Sequence, residues 1–448
     1  MEIKDKKILI YGLGITGISS IKALSSMGAQ VYIYDSKKKE DLAEVFKEIE
    51  GFSYKYWEKE SDIDWKQLDI LLKSPGIRLD NPLVVKAKEE GLDLVSDLEL
   101  AYRIWGGDRM IAITGTNGKT TTTSLVSHIL DRAGIKNHLV GNIGIGLLWK
   151  MYENPKDYFV LESSSFQLAS VDEFNPALAA IINISEDHLD WHGSYEDYIE
   201  AKLNISRRMK KDQVLILNHD DPLYDRMVME TEAEIIDVST KTVLEDGYYL
   251  DGSSLSYRGI EIINRKEISL VGLHNVQNIL FAIALTSAMN IDLRIIREAI
   301  TSFRGVEHRI EFVDKIKDVS YYNDSKGTNV DSSLNALRGF EGPVILIAGG
   351  YDKNVDFDQL FEERDKIKGL LLIGQTKYKL YEVGKKYGLE NIELLNDLNE
   401  AVTRAYSMAD SGDVVLLSPA CASWGMYRNF EERGEHFKKL VKRLAEKK

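Results

Sequence analysis

Seven consecutive residues, Gly115-Thr116-Asn117-Gly118-Lys119-Thr120-Thr121, have the types and spacing for phosphate chemistry. Glycines let backbone N–H groups converge on an anion, a lysine adds a mobile positive charge, and a threonine hydroxyl can ligate magnesium. The apolar run Ile111–Ile113 ahead of them reads as a strand, and the hydroxyl-rich run behind them as the start of a helix. A strict phosphate-loop spacing puts glycine at position 113, where Ile113 stands. The loop is therefore a variant, and we read it as an ATP site. About forty residues later Glu162 follows another apolar run and precedes Ser163-Ser164-Ser165-Phe166-Gln167. A carboxylate there can hold the magnesium that Thr120 also contacts.

Other positions carry weaker signals. His188 stands between Asp187 and Asp190, which suits a metal but also describes a polar surface turn. Lys202 falls on an expected helix, where most lysines are simply solvated. Gly12-x-Gly14-x-x-Gly17 follows a β-branched strand, with Asp35 closing the next one, a dinucleotide-type fingerprint that points to a nucleotide diphosphate more than to NAD. Ser74-Pro75-Gly76 ends a further strand. In the last third, Asn323-Asp324-Ser325-Lys326, Gly349–Lys353 and Ser418–Ser423 each close a strand with lysines, hydroxyls or open backbone, which suits a small anionic substrate. Arg309, beside His308, reads either as a clamp on ATP phosphates or as an interdomain ion pair.

These residues need parallel sheets to bring them to one edge. The chain alternates short apolar runs with helical stretches, the pattern of α/β domains. Strands are expected near 7–12, 30–34 and 68–73, then at 111–113, 138–140, 158–161, 178–184 and 213–217, with a helix over 195–209. The stretch from about 235 to 270 reads as antiparallel hairpins, and strands near 319–322, 344–348, 370–373, 392–395 and 414–417 complete the pattern. We expect three domains: a Rossmann-like one over 1–97, a central P-loop-type ATPase domain with a mostly parallel sheet over 98–304, and a Rossmann-like C-terminal one over 305–448. The 448 residues include 57 basic and 71 acidic ones, a net charge of −14, which argues against a nucleic-acid or anionic-membrane surface. The single cysteine, Cys421, excludes an internal disulfide and a cysteine-cluster metal site. The opening segment has no signal-peptide pattern, and a cytoplasmic monomer is expected.

Taken together, Gly115–Thr121, Glu162-x-Ser164-Ser165-Phe166-Gln167, Asp187–Asp190, Lys202, His274-Asn275-x-x-Asn278, Glu307-His308-Arg309, Asn323–Lys326 and Ser418–Ser423 occur in an order that resembles the Mur ligases. Within that family, length and the sequence around Gly12–Gly17, Gly141–Gly144 and Asn323–Asn329 look most like the members adding D-glutamate to UDP-N-acetylmuramoyl-L-alanine. The resemblance implies ATP-dependent amide formation through an acyl phosphate in peptidoglycan precursor synthesis. It implies that Ile15, Thr16, Asp35, Ser36 and Ser74 would hold UDP, with Asn142, Ser164 and Gln167 facing the muramoyl part. Gly115–Thr121 would bind the ATP phosphates, Lys119 catalytically, with Asn275, Asn278, Arg309 and Asp324 also contacting ATP. Thr120, Glu162 and His188 would ligate magnesium, and Lys202, carbamylated by CO2, would help to hold the second of two ions. Lys326, Thr328, Lys353, Ser423 and Phe430 would receive D-glutamate. Trp424-Gly425 departs from the family, whose members often have a smaller apolar residue and an acid there. A ligase for another amino acid, a folylpolyglutamate synthase-like ligase, a nicotinamide-dependent dehydrogenase and a non-catalytic nucleotide-binding protein are the competing readings.

Overall fold

The computed structural model describes residues 1–143, 146–270, 272–352 and 355–446. The chain divides into two compact units, Met1–Arg265 with Val276–Ile300, and Lys266–Asn275 with Thr301–Lys448. Among the described residues no helix is long and apolar enough to cross a membrane.

The first unit holds two sheets. A five-stranded parallel sheet runs in the order Lys55–Tyr56, Gln30–Tyr34, Lys7–Tyr11, Ile70–Lys73, Asp93–Val95. A nine-stranded sheet runs from Asn137–Gly141 through Tyr158–Glu162, Met110–Thr114, Leu178–Ile181, Val214–Asn218, Glu234–Ser239 and Gly247–Asp251 to Ser254–Tyr257 and Ile260–Asn264. The third strand in that order, Met-Ile-Ala-Ile-Thr, is buried at all five positions, as a parallel strand covered by helices on both faces must be. One apolar core joins the two sheets, with Leu98, Leu100 and Ala101 of helix Asp97–Trp105 clustered with Ile8 and Ile10 on one side and Ala112 and Leu161 on the other.

Register positions the chemistry. Ile113 pairs with Glu162, Thr114 with Ile181 and Gly141 with Glu162, so four parallel strands end together where the phosphate loop begins. Ligands of open α/β sheets bind at such a carboxyl edge. The second unit repeats the device in a six-stranded sheet, Glu311–Ile316, Val319–Asn323, Val414–Leu417, Val344–Ala348, Ile367–Leu372, Ile392–Leu394. There Asn323 and Ile347 both pair with Leu417.

Four local expectations change. The helix expected over 195–209 ends at Leu203, with Asn204 as its C-cap, and the chain continues in turns. The strand expected over 178–184 stops at Ile181, which frees Asn183 for the loop. In the 235–270 segment only the last three strands form antiparallel pairs, while Glu234–Ser239 is parallel to both neighbours. Glu311–Ile316, which pairs antiparallel with Val319–Asn323 across the Lys317-Asp318 turn, has no counterpart in the expected pattern.

Candidate active site

The phosphate loop is built by its neighbours. Thr116 N donates to Asn183 O (2.8 Å) and Asn117 N to Asn183 Oδ1 (2.8 Å). Gly118, the N-cap of helix Lys119–Arg132, adopts φ +87°, and a Cβ there would lie 2.2 Å from Asn278 Oδ1. Only glycine satisfies both constraints, and the contact places Asn278 against the loop. The Lys119 ammonium donates to Gly115 O (2.8 Å) and Thr116 O (2.9 Å), curled over the loop it serves.

Lys202 joins the same loop. Its side chain is 1% exposed, its Nζ donates to Gly115 O at 2.7 Å, and it lies 4.7 Å from the centroid of the Tyr198 ring. Burial, and then the like charge of Lys119, hold its pKa well below the ordinary lysine value. The Tyr198 hydroxyl meets Thr116 Oγ1 at 3.0 Å, and burial pushes its pKa up to about 12, so it stays a neutral phenol. Among the described residues no acid is hydrogen-bonded to it, and a desolvated amine in a fixed position with a depressed pKa has the character that nucleophilic lysines share.

Glu162 supplies the acid of the edge. It is 2% exposed; Oε1 accepts from Asn142 Nδ2 at 2.9 Å, whereas Oε2 is buried with no hydrogen-bond partner among the described residues. An orphaned carboxylate oxygen beside a phosphate loop fits a magnesium ligand. His188 lies further along the edge, half exposed at φ +51°, its ring 4.8 Å from Phe166 and 6.5 Å from Tyr198. Ser164 and Gln167 form a capping box on their own short helix, and Gln167 Nε2 also donates to both oxygens of buried Asp97 (3.1 and 3.3 Å).

At the first sheet, Asp35 accepts from Leu13 N (2.7 Å) and Lys37 N (2.8 Å), and Ser74 Oγ donates to Gly12 O (2.8 Å). Gly12 has φ +94°, and a Cβ would meet Ser74 Oγ at 2.6 Å. Asp35 and Ser74 thus shape the glycine turn, while Ile15, 62% exposed, and Ser36, also exposed, face outward. Thr16 accepts at its carbonyl from Ser20 Oγ inside the helix.

The second unit gathers another group. Asp324 is 3% exposed, accepts from Ser418 Oγ (2.6 Å) and Ile310 N (3.3 Å), and burial raises its pKa to about 7 against the opposing charges of Arg309 and Arg433. Arg309 sits exposed between His308 and Ile310, both at positive φ (62° and 44°). For a β-branched residue that conformation is strained, and strain of this kind collects at functional turns. Lys326 lies 5.9 Å from the Phe430 ring, Thr328 N donates to Lys326 O (2.9 Å), and buried Ser423 caps the turn that carries Trp424. Asn275 is buried, and Lys353 lies outside the described residues. Glu307, His308 and Glu435 cluster closely enough for a metal, but Lys438 pairs with both acids at 2.6 Å, which makes the group an ion-pair network.

Three family models match the chain: the Mur ligase MurD-like N-terminal domain over residues 6–96, the Mur ligase middle domain over 113–286, and the Mur ligase glutamate ligase domain over 308–421. The UDP-N-acetylmuramoylalanine--D-glutamate ligases of Alkaliphilus oremlandii and Clostridioides difficile are each 41% identical, over 99% of this chain and 100% of theirs. That of Caldanaerobacter subterraneus subsp. tengcongensis is 42% identical over 98% of this chain and 99% of its own. The chain belongs to the Mur ligase family. Solved structures share the fold: MurC of Thermotoga maritima, at 23% identity and TM-score 0.58, covers 99% of this chain and 100% of its own. MurF of the same organism, solved with ADP, is 18% identical with TM-score 0.56, over 99% of this chain and 96% of its own.

Two features of this Mur ligase go beyond a reading of residue types. Lys202 is buried, and the signal was present: Tyr195, Tyr198, Ile199 and Lys202 fall at i, i+3, i+4 and i+7, one helix face. Arg433 is the other. Its buried guanidinium donates to Ser325 Oγ (2.9 Å), Ser325 O (2.8 Å) and Cys421 O (3.2 Å), tying two strand-end loops together. Its place on the C-terminal helix gives no hint of this in sequence.

Proposed function

We propose that this Mur ligase uses ATP to join D-glutamate to UDP-N-acetylmuramoyl-L-alanine, a step of peptidoglycan precursor synthesis. The observation that carries the ligase reading is the phosphate-loop edge, where Lys119, the buried Lys202 amine and the open Glu162 oxygen converge. The choice of substrates rests on the names of relatives that match end to end. A dinucleotide-dependent dehydrogenase leaves that edge without a task.

The roles follow from the chemistry. The portion over 1–97 binds UDP through Ile15, Thr16, Asp35, Ser36 and Ser74, the portion over 98–304 binds ATP, and that over 305–448 receives the amino acid. The substrate carboxylate attacks the γ-phosphorus of ATP and ADP leaves; the amine of D-glutamate then attacks the acyl carbon and phosphate leaves. Lys119 and the loop N–H groups stabilise charge on the transferring phosphoryl group. Thr120, Glu162 and His188 would hold magnesium, which when bound would offset charge on the phosphates. Lys202, with its depressed pKa, would add to CO2 with loss of a proton, and the resulting carbamate would help to hold a second ion. Asn142, Ser164 and Gln167 line the muramoyl path, Asn275, Asn278, Arg309 and Asp324 the nucleotide, and Lys326, Thr328, Lys353, Ser423 and Phe430 the amino acid. We place the enzyme in the cytoplasm as a monomer, acting on small molecules and not on nucleic acid or membrane.

Phosphate release from ATP, measured with UDP-N-acetylmuramoyl-L-alanine and a panel of amino acids, tests this directly. D-Glutamate should stimulate most. No stimulation, or a stronger response to another amino acid, overturns the assignment.

A further inference from the structure

Lys73 ends the strand Ile70–Lys73, paired with Tyr11 and followed by the Ser74 turn that grips Gly12. Its side chain is 1% exposed. Among the described residues its ammonium makes no hydrogen bond and no ion pair, and it lies 5.5 Å from the centroid of the Trp191 ring. A buried ammonium without a partner is costly unless something else supplies the counter-charge. Asp97, the acid that faces it and favours its charged form, is itself fully buried, already accepts at both oxygens from the Gln167 amide, and has its own pKa raised by burial, so it is a weakened counter-charge. Lys88, the other charged group nearby, repels it.

The surroundings indicate what the counter-charge is. Trp191 Nε1 donates to Gly76 O at 3.2 Å, and the Arg78 guanidinium donates to Asp190 O, so the Ser74–Arg78 turn is docked on the segment carrying His188. Phe166 lies 4.8 Å from both His188 and Trp191. Lys73 therefore stands at the crossing from the carboxyl edge of the first sheet to that of the second. A nucleotide-sugar whose diphosphate lies at the glycine turn and whose carboxylate reaches Glu162 and Lys202 passes this point.

We propose that Lys73 is a substrate-binding residue whose ammonium takes an anionic oxygen of the nucleotide-sugar substrate at that crossing, a phosphate or a carboxylate oxygen. This rests on the function proposed above, which assigns none of its roles to Lys73.

Calorimetric titration in the absence of ATP tests it, using UDP-N-acetylmuramoyl-L-alanine and UDP-N-acetylglucosamine, which lacks the carboxylate arm. Lys73→Met should weaken the first ligand about tenfold or more, and Lys73→Arg should retain most of the affinity. An equal loss for both ligands assigns the ammonium to the diphosphate; a loss confined to the first assigns it to the carboxylate. Wild-type affinity should also fall above about pH 8, where Lys73 loses its proton, and this fall should vanish in Lys73→Met. Binding of both ligands within twofold of wild type overturns the proposal. So does the same pH-dependence persisting in Lys73→Met, since a group other than Lys73 would then cause it. If Lys73→Met does not fold, Lys73→Gln gives the same readout. Failure of the wild type to bind either nucleotide-sugar would count against the proposed function instead.

Discussion

Lys202 and Arg433 are both 1% exposed, one at the strand ends of each unit, and burial lowers the pKa of both. They are held in opposite ways. Lys202 has one short hydrogen bond, to Gly115 O, and an aromatic ring beneath it. Arg433 spreads its donors over Ser325 and Cys421 and, with a pKa near 10, keeps its charge at neutral pH. A desolvated lysine ammonium gives up its proton more readily than a guanidinium, which also has a planar fork for several acceptors. Equal burial therefore depresses the basicity of an amine in one place and leaves a charged brace in the other.

The comparison can be broken most easily at Lys202. Lys202→Ala should cut turnover by about 10²–10³-fold, the scale of a lost electrostatic stabiliser, and added short carboxylic acids should restore part of it. Arg433→Ala should show no such rescue; wild-type-like turnover in Lys202→Ala would end the comparison. The next effect is in the pH-dependence of stability. Asp324, beside the brace, has a folded pKa of about 7 against about 3.9 unfolded, so the native state binds the extra proton between those values. Stability should fall by up to about 4 kcal/mol as pH rises from 4 to 7, and denaturant titrations of Asp324→Asn should show that slope removed. Arg433→Met should then cost about 3 kcal/mol, because Ser325 O and Cys421 O lose buried donors. A melt within a degree of wild type would show that the guanidinium braces nothing. The smallest effect is expected at Gly118→Ala, where left-handed backbone costs about 1–2 kcal/mol and the new methyl presses on Asn278. There the KM for ATP should rise more than kcat falls.

What sequence made legible follows from locality. The phosphate loop, the glycine turn and the strand ends around Glu162, Asn323 and Ser418 are written in contiguous residues, and the structure places each at a sheet's carboxyl edge. The parallel placement of Glu234–Ser239 was not legible, because parallel pairing is decided by distant partners and leaves no turn signature nearby. The early end of the 195–203 helix was hidden because Asn204–Arg208 carries no proline or glycine stop. Arg433 was hidden for a similar reason: its acceptors are carbonyls, which every residue has.

Cys421, the chain's one thiol, is 3% exposed, meets Thr376 Oγ1 at 3.3 Å, and has its pKa raised by burial. Thiolate-directed reagents should pass it by. The protein thus offers a silent background for site-directed labelling. Met229, 78% exposed in the first unit, and Tyr378, 65% exposed in the second, are natural positions for an introduced pair of cysteines. Fluorophores or spin labels there would report the separation of the two units through each stage of turnover, with no native cysteine to remove first.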